Sequence, residues 1–309
     1  MANKIIQFVR KAIGTSPIRK DTLQLCSNIK RFHFENRRYQ LSEHILHDSK
    51  SGVCQEKYAD HEIIVSLTTY GKRISDVTYS IESIMQQTLK ANRIILWLGR
   101  EFQTRRLPQS LMLQQKRGLE IQFCDDIRSY TKLVPSLANY PNDAIITIDD
   151  DLLYDIDVLE RLILAHQETP NCIHASRVHR MRLDDDGHLF PYREWSLRYK
   201  EAGIHKLNFF TGVGGVLYPP RCFDDEVFNQ NEFLSECKYA DDVWFNAMAI
   251  KNGIPINKVQ TRSEDGENYL LNDDLQAGGL NMINIGAERQ NDIQIEAVFG
   301  RYNLYEKLR

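Results

Sequence analysis

The chain contains 309 residues, 42% of them hydrophobic and 26% charged. This is the composition of an ordinary globular protein, and it excludes wholesale disorder. The formal net charge of −3 provides no overall basic field, so we expect no nucleic-acid partner. No apolar run reaches the roughly 20 residues that span a bilayer. The first residues also lack the cleavage site of a secretory signal, so we expect a cytoplasmic location.

The amino-terminal segment, residues 1–58, differs from the rest of the chain in its charge. Residues 1–50 hold ten Lys or Arg and four Asp or Glu, a net charge of +6. Four aliphatic residues share one face of a predicted helix: Ile5, Ile6, Val9 and Ile13. Either this helix packs on the main domain, or it rests peripherally on the anionic inner surface of the cytoplasmic membrane. Both interpretations describe a basic helical extension.

From residue 61 the sequence alternates between strand and helix patterns. Buried-strand runs are predicted over 61–70, 93–98, 119–124, 143–149, 172–178 and 212–218. Helical spacing follows Ser75 and recurs over 107–116, 131–139, 155–165 and 239–251. This alternation predicts an α/β fold with a Rossmann-like, mostly parallel central sheet flanked by helices. In such sheets, ligands bind beyond the carboxyl ends of the strands.

Three adjacent aspartates, Asp149, Asp150 and Asp151, directly follow the apolar run AIITI. At the end of a buried strand, mutual repulsion and desolvation raise the pKa values of such carboxylates unless a cation is present. A hard divalent ion such as Mn²⁺ or Mg²⁺ relieves this repulsion and also neutralises a diphosphate. The position therefore predicts a metal site.

A second triplet, Asp184, Asp185 and Asp186, serves as an internal comparison. It follows no apolar run and precedes Gly187, and an Asp-Gly pair is typical of a turn. The spacing is not that of a calcium-binding EF-hand loop either. We therefore expect a solvated loop there, because the buried strand, and not the number of acids, distinguishes the first triplet.

Asp241 and Asp242 precede the helical segment VWFNAMAIKN. Aspartate at a helix amino terminus can cap backbone amides and interacts favourably with the helix dipole. Alternatively, one of these carboxylates points into the site as a general base or as an anchor for a second substrate. The residues alone leave both interpretations open.

Glycines and aromatic residues provide two further indications. The stretch FFTGVGGVLYPP, residues 209–220, includes Gly214 and Gly215 in strand-like surroundings, where glycine favours close approach of a ligand to the backbone. Trp195 and its neighbouring tyrosines could offer flat faces to a sugar, or they could simply pack in the core.

Five segments occur in an order that resembles the glycosyltransferases of the GT-A fold: SLTTYGKR, YTKLVPSL, IITIDDDL, TGVGGVLY and YADDVWFNAMA. Bacterial polysaccharide-building members are the most similar, with features of exostosin-like enzymes. The resemblance implies a GT-A catalytic domain over 59–260 and a C-terminal extension over 261–309 that packs on or near the active site. It implies a hexosyltransferase-type enzyme that moves a sugar from a nucleotide-sugar, first of all a UDP-sugar, to a glycan or lipid-linked acceptor in surface polysaccharide synthesis.

The same resemblance implies roles for individual residues. The first triplet is similar to the DxD motif, with Asp151 as the chief ligand of Mn²⁺ or Mg²⁺ and Asp149 as the second. The residues assigned to the donor nucleotide are Thr68, Tyr70, Arg73, Lys132, Asp149 and Asp150. The donor sugar and acceptor are expected beside Gly214, Gly215 and Trp195. The catalytic base is Asp242 or Asp241. No familiar histidine ligand occurs late in the chain, so donor oxygens and water are expected to complete the coordination.

Two other classes of protein remain as alternatives. The chain could bind a nucleotide-sugar or a glycan without catalysis, because a fold does not guarantee activity. It could also be a metal-dependent phosphotransferase with a DxDx[TV] motif, although Leu153 occupies the Thr/Val position. Sugar transfer from a nucleotide-sugar is the function that we predict.

Overall fold

The computed structural model describes residues 17–263, 267–271 and 290–309. The aliphatic residues predicted to form an amino-terminal helical face, Ile5 to Ile13, lie outside these ranges. None of the described helices is both long and apolar enough to cross a membrane.

The described strands and helices follow the predicted alternation. The strands are β1 Ile63–Thr68, β2 Arg93–Gly99, β3 Leu119–Cys124, β4 Ala144–Thr147, β5 Leu152–Tyr154, β6 Ile173–Ala175, β7 Val178–Arg180, β8 Gly203–Ile204, β9 Asn208–Phe210, β10 Val216–Tyr218, β11 Ile256–Lys258 and β12 Tyr269–Leu271. The helices are α1 Pro17–His47, α2 Val77–Met85, α3 Gln109–Gln115, α4 Val134–Asn139, α5 Val158–Glu168, α6 Gln230–Glu236, α7 Asp241–Asn252, α8 Gln290–Arg301 and α9 Tyr305–Leu308.

Eight of these strands form one twisted sheet in the order β3-β2-β1-β4-β10-β6-β11-β8. Strands β1 to β4 are parallel to one another. Strand β10 is antiparallel to both β4 and β6, so β6 and β11 point the same way as β1 to β4. The prediction of an α/β fold with a mostly parallel central sheet flanked by helices is confirmed.

The sheet is buried because alternate side chains of each strand enter opposite apolar layers. Ile63, Val65 and Leu67 of β1 pack with helices α2, α3 and α5 on one face. Ile64 of the same strand packs with helices α7 and α8 on the other. Helix α7 ends where Gly253 adopts a φ of 67°, a left-handed conformation that glycine accommodates without strain.

The described parts of both terminal segments pack on this central unit. Phe34 and Leu41 of α1 form a small cluster with Leu153 of β5 and Leu270 of β12. Strand β12 pairs with β5, which immediately follows the first acidic triplet. The described part of the C-terminal segment therefore reaches the region of the triplet. The described part of the amino-terminal segment is one long helix, Pro17–His47, followed by non-helical residues 48–58.

Two strand predictions are wrong in their extent. The run predicted over 172–178 is divided between β6, which ends at Ala175 in the central sheet, and β7, which begins at Val178 and pairs with β9. The run predicted over 212–218 is a strand only from Val216, and a loop containing Gly212, Gly214 and Gly215 precedes it. Gly214 and Gly215 have φ values of 92° and 100°. These left-handed conformations break the strand, and they explain why glycines occupy the positions.

Candidate active site

Four segments meet at one edge of the sheet because of the strand directions. The carboxyl ends of β1, β4 and β6 lie side by side with the amino end of β10, since Val216 pairs with both Thr147 and Ala175. The polar residues that follow or precede these ends therefore converge. The chain adds β2 and β3 on one side of β1 and then β4 on its other side, so the strand order reverses next to β1. Open α/β sheets bind ligands at such a reversal.

The first acidic triplet is held rigidly at this edge. The backbone N–H of Asp149 donates to the hydroxyl of Tyr154, 2.8 Å away. Asp150 is buried and accepts hydrogen bonds from Thr69 Oγ1 at 2.6 Å and Arg73 Nη1 at 2.8 Å. Although burial raises the pKa of Asp150, the bonds from Thr69 and Arg73 oppose that rise. Asp150 is therefore a positioning residue whose charge is already compensated.

Asp151 is less well compensated than Asp150. Its Oδ2 lies 3.5 Å from Arg73 Nη1, and 15% of its side chain is exposed. Burial, followed by the charges of Asp149 and Asp150, raises the pKa of Asp151 to about 6. A partly open carboxylate that carries this repulsion is suited to receive an additional cation.

Lys132 links the triplet to the acidic pair of α7. Its Nζ lies 3.1 Å from Asp149 Oδ1 and 3.3 Å from Asp241 Oδ2. The Asp241 contact is an ion pair without hydrogen-bond geometry. Burial opposes the charge on Lys132, but Asp149 and Asp241 outweigh it and hold the pKa of Lys132 well above its usual range. Lys132 is therefore charged at neutral pH.

Asp241 and Asp242 are the first two residues of α7, with Ala240 in the capping position. Asp242 Oδ1 accepts a hydrogen bond at 2.9 Å from the backbone N–H of Gly212, across the site. Burial, followed by the charge of Asp241, raises the pKa of Asp242 to about 7. The contacts of both carboxylates therefore point across the site, to Lys132 and Gly212, and do not cap the helix.

Gly212 is a site residue that the sequence patterns did not single out. A Cβ added to it would lie 2.9 Å from Lys132 Nζ and 3.2 Å from Asp242 Oδ1. We expect Gly212→Ala to keep the fold, because flexible side-chain ends can move aside, and to lower any catalytic turnover at this candidate site about ten- to a hundredfold by misplacing them. Gly300→Ala on α8, where an added Cβ meets nothing within 4 Å, is the control, and equal activity in both variants would contradict this role.

The buried cation gives a prediction on stability. We expect Lys132→Met to lower the free energy of unfolding by about 3–5 kcal/mol, because it leaves buried carboxylates without their partner. Urea unfolding would measure this loss, and Asp241→Asn in the same background should restore part of it. Lys251→Met is the control, since the Lys251–Asp224 pair is more exposed and its loss should cost less than about 1 kcal/mol.

Arg177 is a second residue that sequence reasoning missed. It follows the carboxyl end of β6, and its Nε donates to Thr211 Oγ1 at 2.8 Å while Nη1 lies 3.4 Å from the hydroxyl of Tyr269. Both partners in the described chain are neutral hydroxyls, so no described carboxylate forms an ion pair with this guanidinium. A basic residue inside the otherwise mostly apolar run predicted as a strand over 172–178 is the signal that could have identified it.

The residues assigned to the donor nucleotide after β1 differ in their availability. The Thr68 hydroxyl donates to the backbone oxygen of Trp97 at 3.0 Å, so its proton is engaged within the protein. Tyr70 is 64% exposed, and the Arg73 guanidinium lies 5.3 Å from the centre of its ring. Tyr70 therefore presents an open aromatic face beside the acidic triplet, where a planar base could stack.

The residues assigned to the donor sugar and acceptor are less accessible to a ligand than Tyr70 is. A Cβ on Gly215 would face Leu162 and Val158 of α5, which is packing and not an open surface. Trp195 is 4% exposed, its Nε1 donates to Phe190 O at 2.7 Å, and its ring packs against Tyr192 and Phe209. The packing interpretation thus describes Trp195, because its polar group is hydrogen-bonded within the protein and its ring is buried.

The comparison triplet forms the exposed turn that was expected. Asp184 Oδ1 accepts hydrogen bonds from the backbone N–H groups of Asp186 and His188. Among the described residues, Asp184, Asp186 and His188 are also the group whose ligand atoms lie within 4.8 Å of one another. All three are exposed, and no buried or unpartnered group supports a site there.

The charges around the first triplet indicate whether it fits a divalent metal. Four of the five carboxylates here contact one of two cations, Arg73 and Lys132: Asp149, Asp150, Asp151 and Asp241. The fifth, Asp242, accepts a hydrogen bond from the Gly212 N–H instead. The ligand atoms available are carboxylate oxygens, which hard ions such as Mg²⁺ and Mn²⁺ prefer. The surplus negative charge and the oxygen ligands of Asp149 and Asp151 fit such an ion, provided that a bound ligand or water supplies the remaining oxygens.

In comparisons with known proteins, no family model matches the chain and no curated protein is similar to it.

Proposed function

We propose that the protein is a metal-dependent glycosyltransferase of the GT-A type that transfers a sugar from a nucleotide-sugar to a hydroxyl group. One observation carries the proposal: five carboxylates, four of them in contact with two cations, lie at the carboxyl ends of β1 and β4 and the start of α7. A site with this charge excess suits a substrate that arrives with a divalent ion, as a nucleoside diphosphate does.

Each residue has a task that follows from its position. Asp151 and Asp149 would hold Mn²⁺ or Mg²⁺, which supplies charge stabilisation for the leaving diphosphate. Arg73 and Thr69 fix Asp150 and so orient the triplet. Tyr70 offers its exposed ring to the base, and Arg177, with neutral partners, would hold an anionic group of the donor or acceptor.

The proton of the acceptor requires a base, and Asp242 is the candidate. Burial and Asp241 raise the pKa of Asp242 to about 7, which is near the value that is most effective for proton transfer at neutral pH. The Gly212 N–H fixes one carboxylate oxygen and leaves the other free to accept a proton. Lys132 limits the repulsion between this pair and Asp149.

The test is a panel of UDP-, GDP-, CMP- and dTDP-sugars, each measured with and without Mn²⁺. We expect one nucleotide class to raise the melting temperature only when the metal is present, since a ligand of the native state stabilises it. Slow release of free sugar in the absence of an acceptor would then identify an enzyme. Binding of sugar without metal or turnover would instead indicate the non-catalytic alternative.

A prediction on Arg177 separates its anchoring role from a structural one. We expect Arg177→Lys to preserve the fold and weaken donor or acceptor binding about tenfold, because an ammonium loses the fork of donors that holds a phosphate or carboxylate. Thermal titration and initial rates would locate the loss in KM. Arg182→Lys is the control, since the guanidinium of Arg182 contacts the Glu194 carbonyl and the Phe190 ring away from the triplet.

A further inference from the structure

Helix α1 exposes a continuous apolar stripe that the proposed function does not use. Leu25, Phe32, Tyr39 and Leu46 recur every seven residues and are between 59% and 68% exposed. Ile29, 45% exposed, lies between the first two of them. A spacing of four and then three residues is the heptad pattern by which one helix packs against another.

The opposite face of α1 already has its partner. Phe34, Leu41 and Ile45 are buried against the body of the protein. Arg37 and Arg38 also reach that body, with hydrogen bonds to Gln86 and Asp76. The stripe therefore faces away from the fold, and residues 24–33 are exposed on every side.

The polar residues within the stripe discriminate between two kinds of partner. Asn36 and Glu43 continue the seven-residue spacing of Ile29 and are exposed. A lipid surface would have to accommodate Glu43 within the apolar face, and an anionic lipid surface would repel this carboxylate. A second helix tolerates both residues, because a polar side chain at such a position sets the register of a helix pair.

Charge also discriminates between the two orientations of a helix pair. Residues 24–33 contain Lys30 and Arg31 and no acid, whereas Glu43 lies in the stripe near the other end of the helix. A parallel pair would place each Glu43 against its own copy, which is destabilising. In an antiparallel pair, Glu43 lies instead beside the basic half of the other helix.

We propose that two copies of this chain form a dimer by antiparallel packing of α1 through this stripe. One register sets Ile29 opposite Leu46 of the second copy and Asn36 opposite Tyr39. The two bodies then lie on opposite sides of the helix pair, and their candidate active sites remain separate. The proposal is independent of the glycosyltransferase function.

Sedimentation velocity of the full chain tests the dimer. We expect twice the mass of one chain, reduced to one chain in the Ile29→Glu/Phe32→Glu variant. The variant should keep its melting temperature, because these side chains do not contact the body. Met112→Glu on α3, where Met112 is 51% exposed, is the control and should remain dimeric. A single-chain mass for the unaltered protein throughout the micromolar to millimolar range would overturn the proposal.

The orientation is tested by a spin label on the exposed Cys26, with Cys54 and Cys124 replaced by serine. In the proposed register the two labels are separated by the rise of 23 residues, about 35 Å at 1.5 Å per residue. A parallel pair would hold them within about 20 Å, given an interaxial distance of 8–10 Å, and would overturn the antiparallel arrangement. The stripe would instead be assigned to lipid if the unaltered protein were a monomer that pellets with anionic phosphatidylserine vesicles and the Ile29→Glu/Phe32→Glu variant did not pellet.

Discussion

Replacing Asp151 with Asn is expected to abolish the metal-dependent stabilisation of the protein by its nucleotide-sugar. The amide retains the shape of the carboxylate but not the charge that a hard divalent ion requires. For the unaltered protein, ligand at 100 times its Kd adds about 2.7 kcal/mol to the free energy of unfolding, which corresponds to several degrees in Tm. In Asp151→Asn this increment should disappear.

The unliganded Asp151→Asn protein should be more stable than the unaltered chain at neutral pH. The pKa of Asp151 is raised to about 6 in the fold, by burial and by Asp149 and Asp150. A carboxyl with a raised pKa binds its proton more tightly in the folded state, so its ionisation lowers stability as pH rises through about 4 to 6. Asparagine cannot ionise, and the difference in Tm between the two proteins should therefore vanish at low pH.

Asp186→Asn provides the matched control, because Asp186 belongs to the exposed triplet that follows no strand. We expect its metal-dependent Tm increment to equal that of the unaltered protein. Equal losses in the two variants, or a loss confined to Asp186→Asn, would remove the assignment of the metal to the first triplet.

The sequence predicted those parts of the candidate site that depend on local patterns. Asp149 to Asp151 were identified because a run of buried aliphatic residues ends directly before them, and β4 indeed ends at Thr147. The alternation of strands and helices similarly predicted the parallel part of the sheet. Such patterns depend on neighbouring residues, so a single sequence displays them.

Contacts that depend on strand order could not be predicted in this way. Gly212 meets Asp242 because β10 runs antiparallel between β4 and β6, and no local pattern encodes that insertion. Arg177 reaches the site for the same reason. The sequence leaves open whether Trp195 offers a flat face to a sugar or packs in the core, and its ring is buried against Phe209, which lies 14 positions later in the chain.

Replacing Asp242 with Asn is expected to lower sugar transfer by about 10²-fold or more, the usual contribution of a general base. Asn can still accept the hydrogen bond from Gly212, so the fold and the binding of donor should persist. Because burial and the charge of Asp241 raise the pKa of Asp242, its Asn variant should keep or slightly increase its Tm. Asp241→Asn should be milder, since Asp241 contacts Lys132 and not the Gly212 loop.

The dependence of kcat/KM on pH separates the base from the metal ligand. A base acts only when it is deprotonated, so kcat/KM should rise about tenfold per pH unit below about pH 7 and level off above it. In Asp242→Asn the kcat/KM of the remaining sugar transfer should no longer decline at low pH. If kcat/KM still falls at low pH in Asp242→Asn, the decline would have to arise from protonation of Asp151 in competition with the metal. Full activity in both Asp242→Asn and Asp241→Asn would leave the proposed transfer without its base.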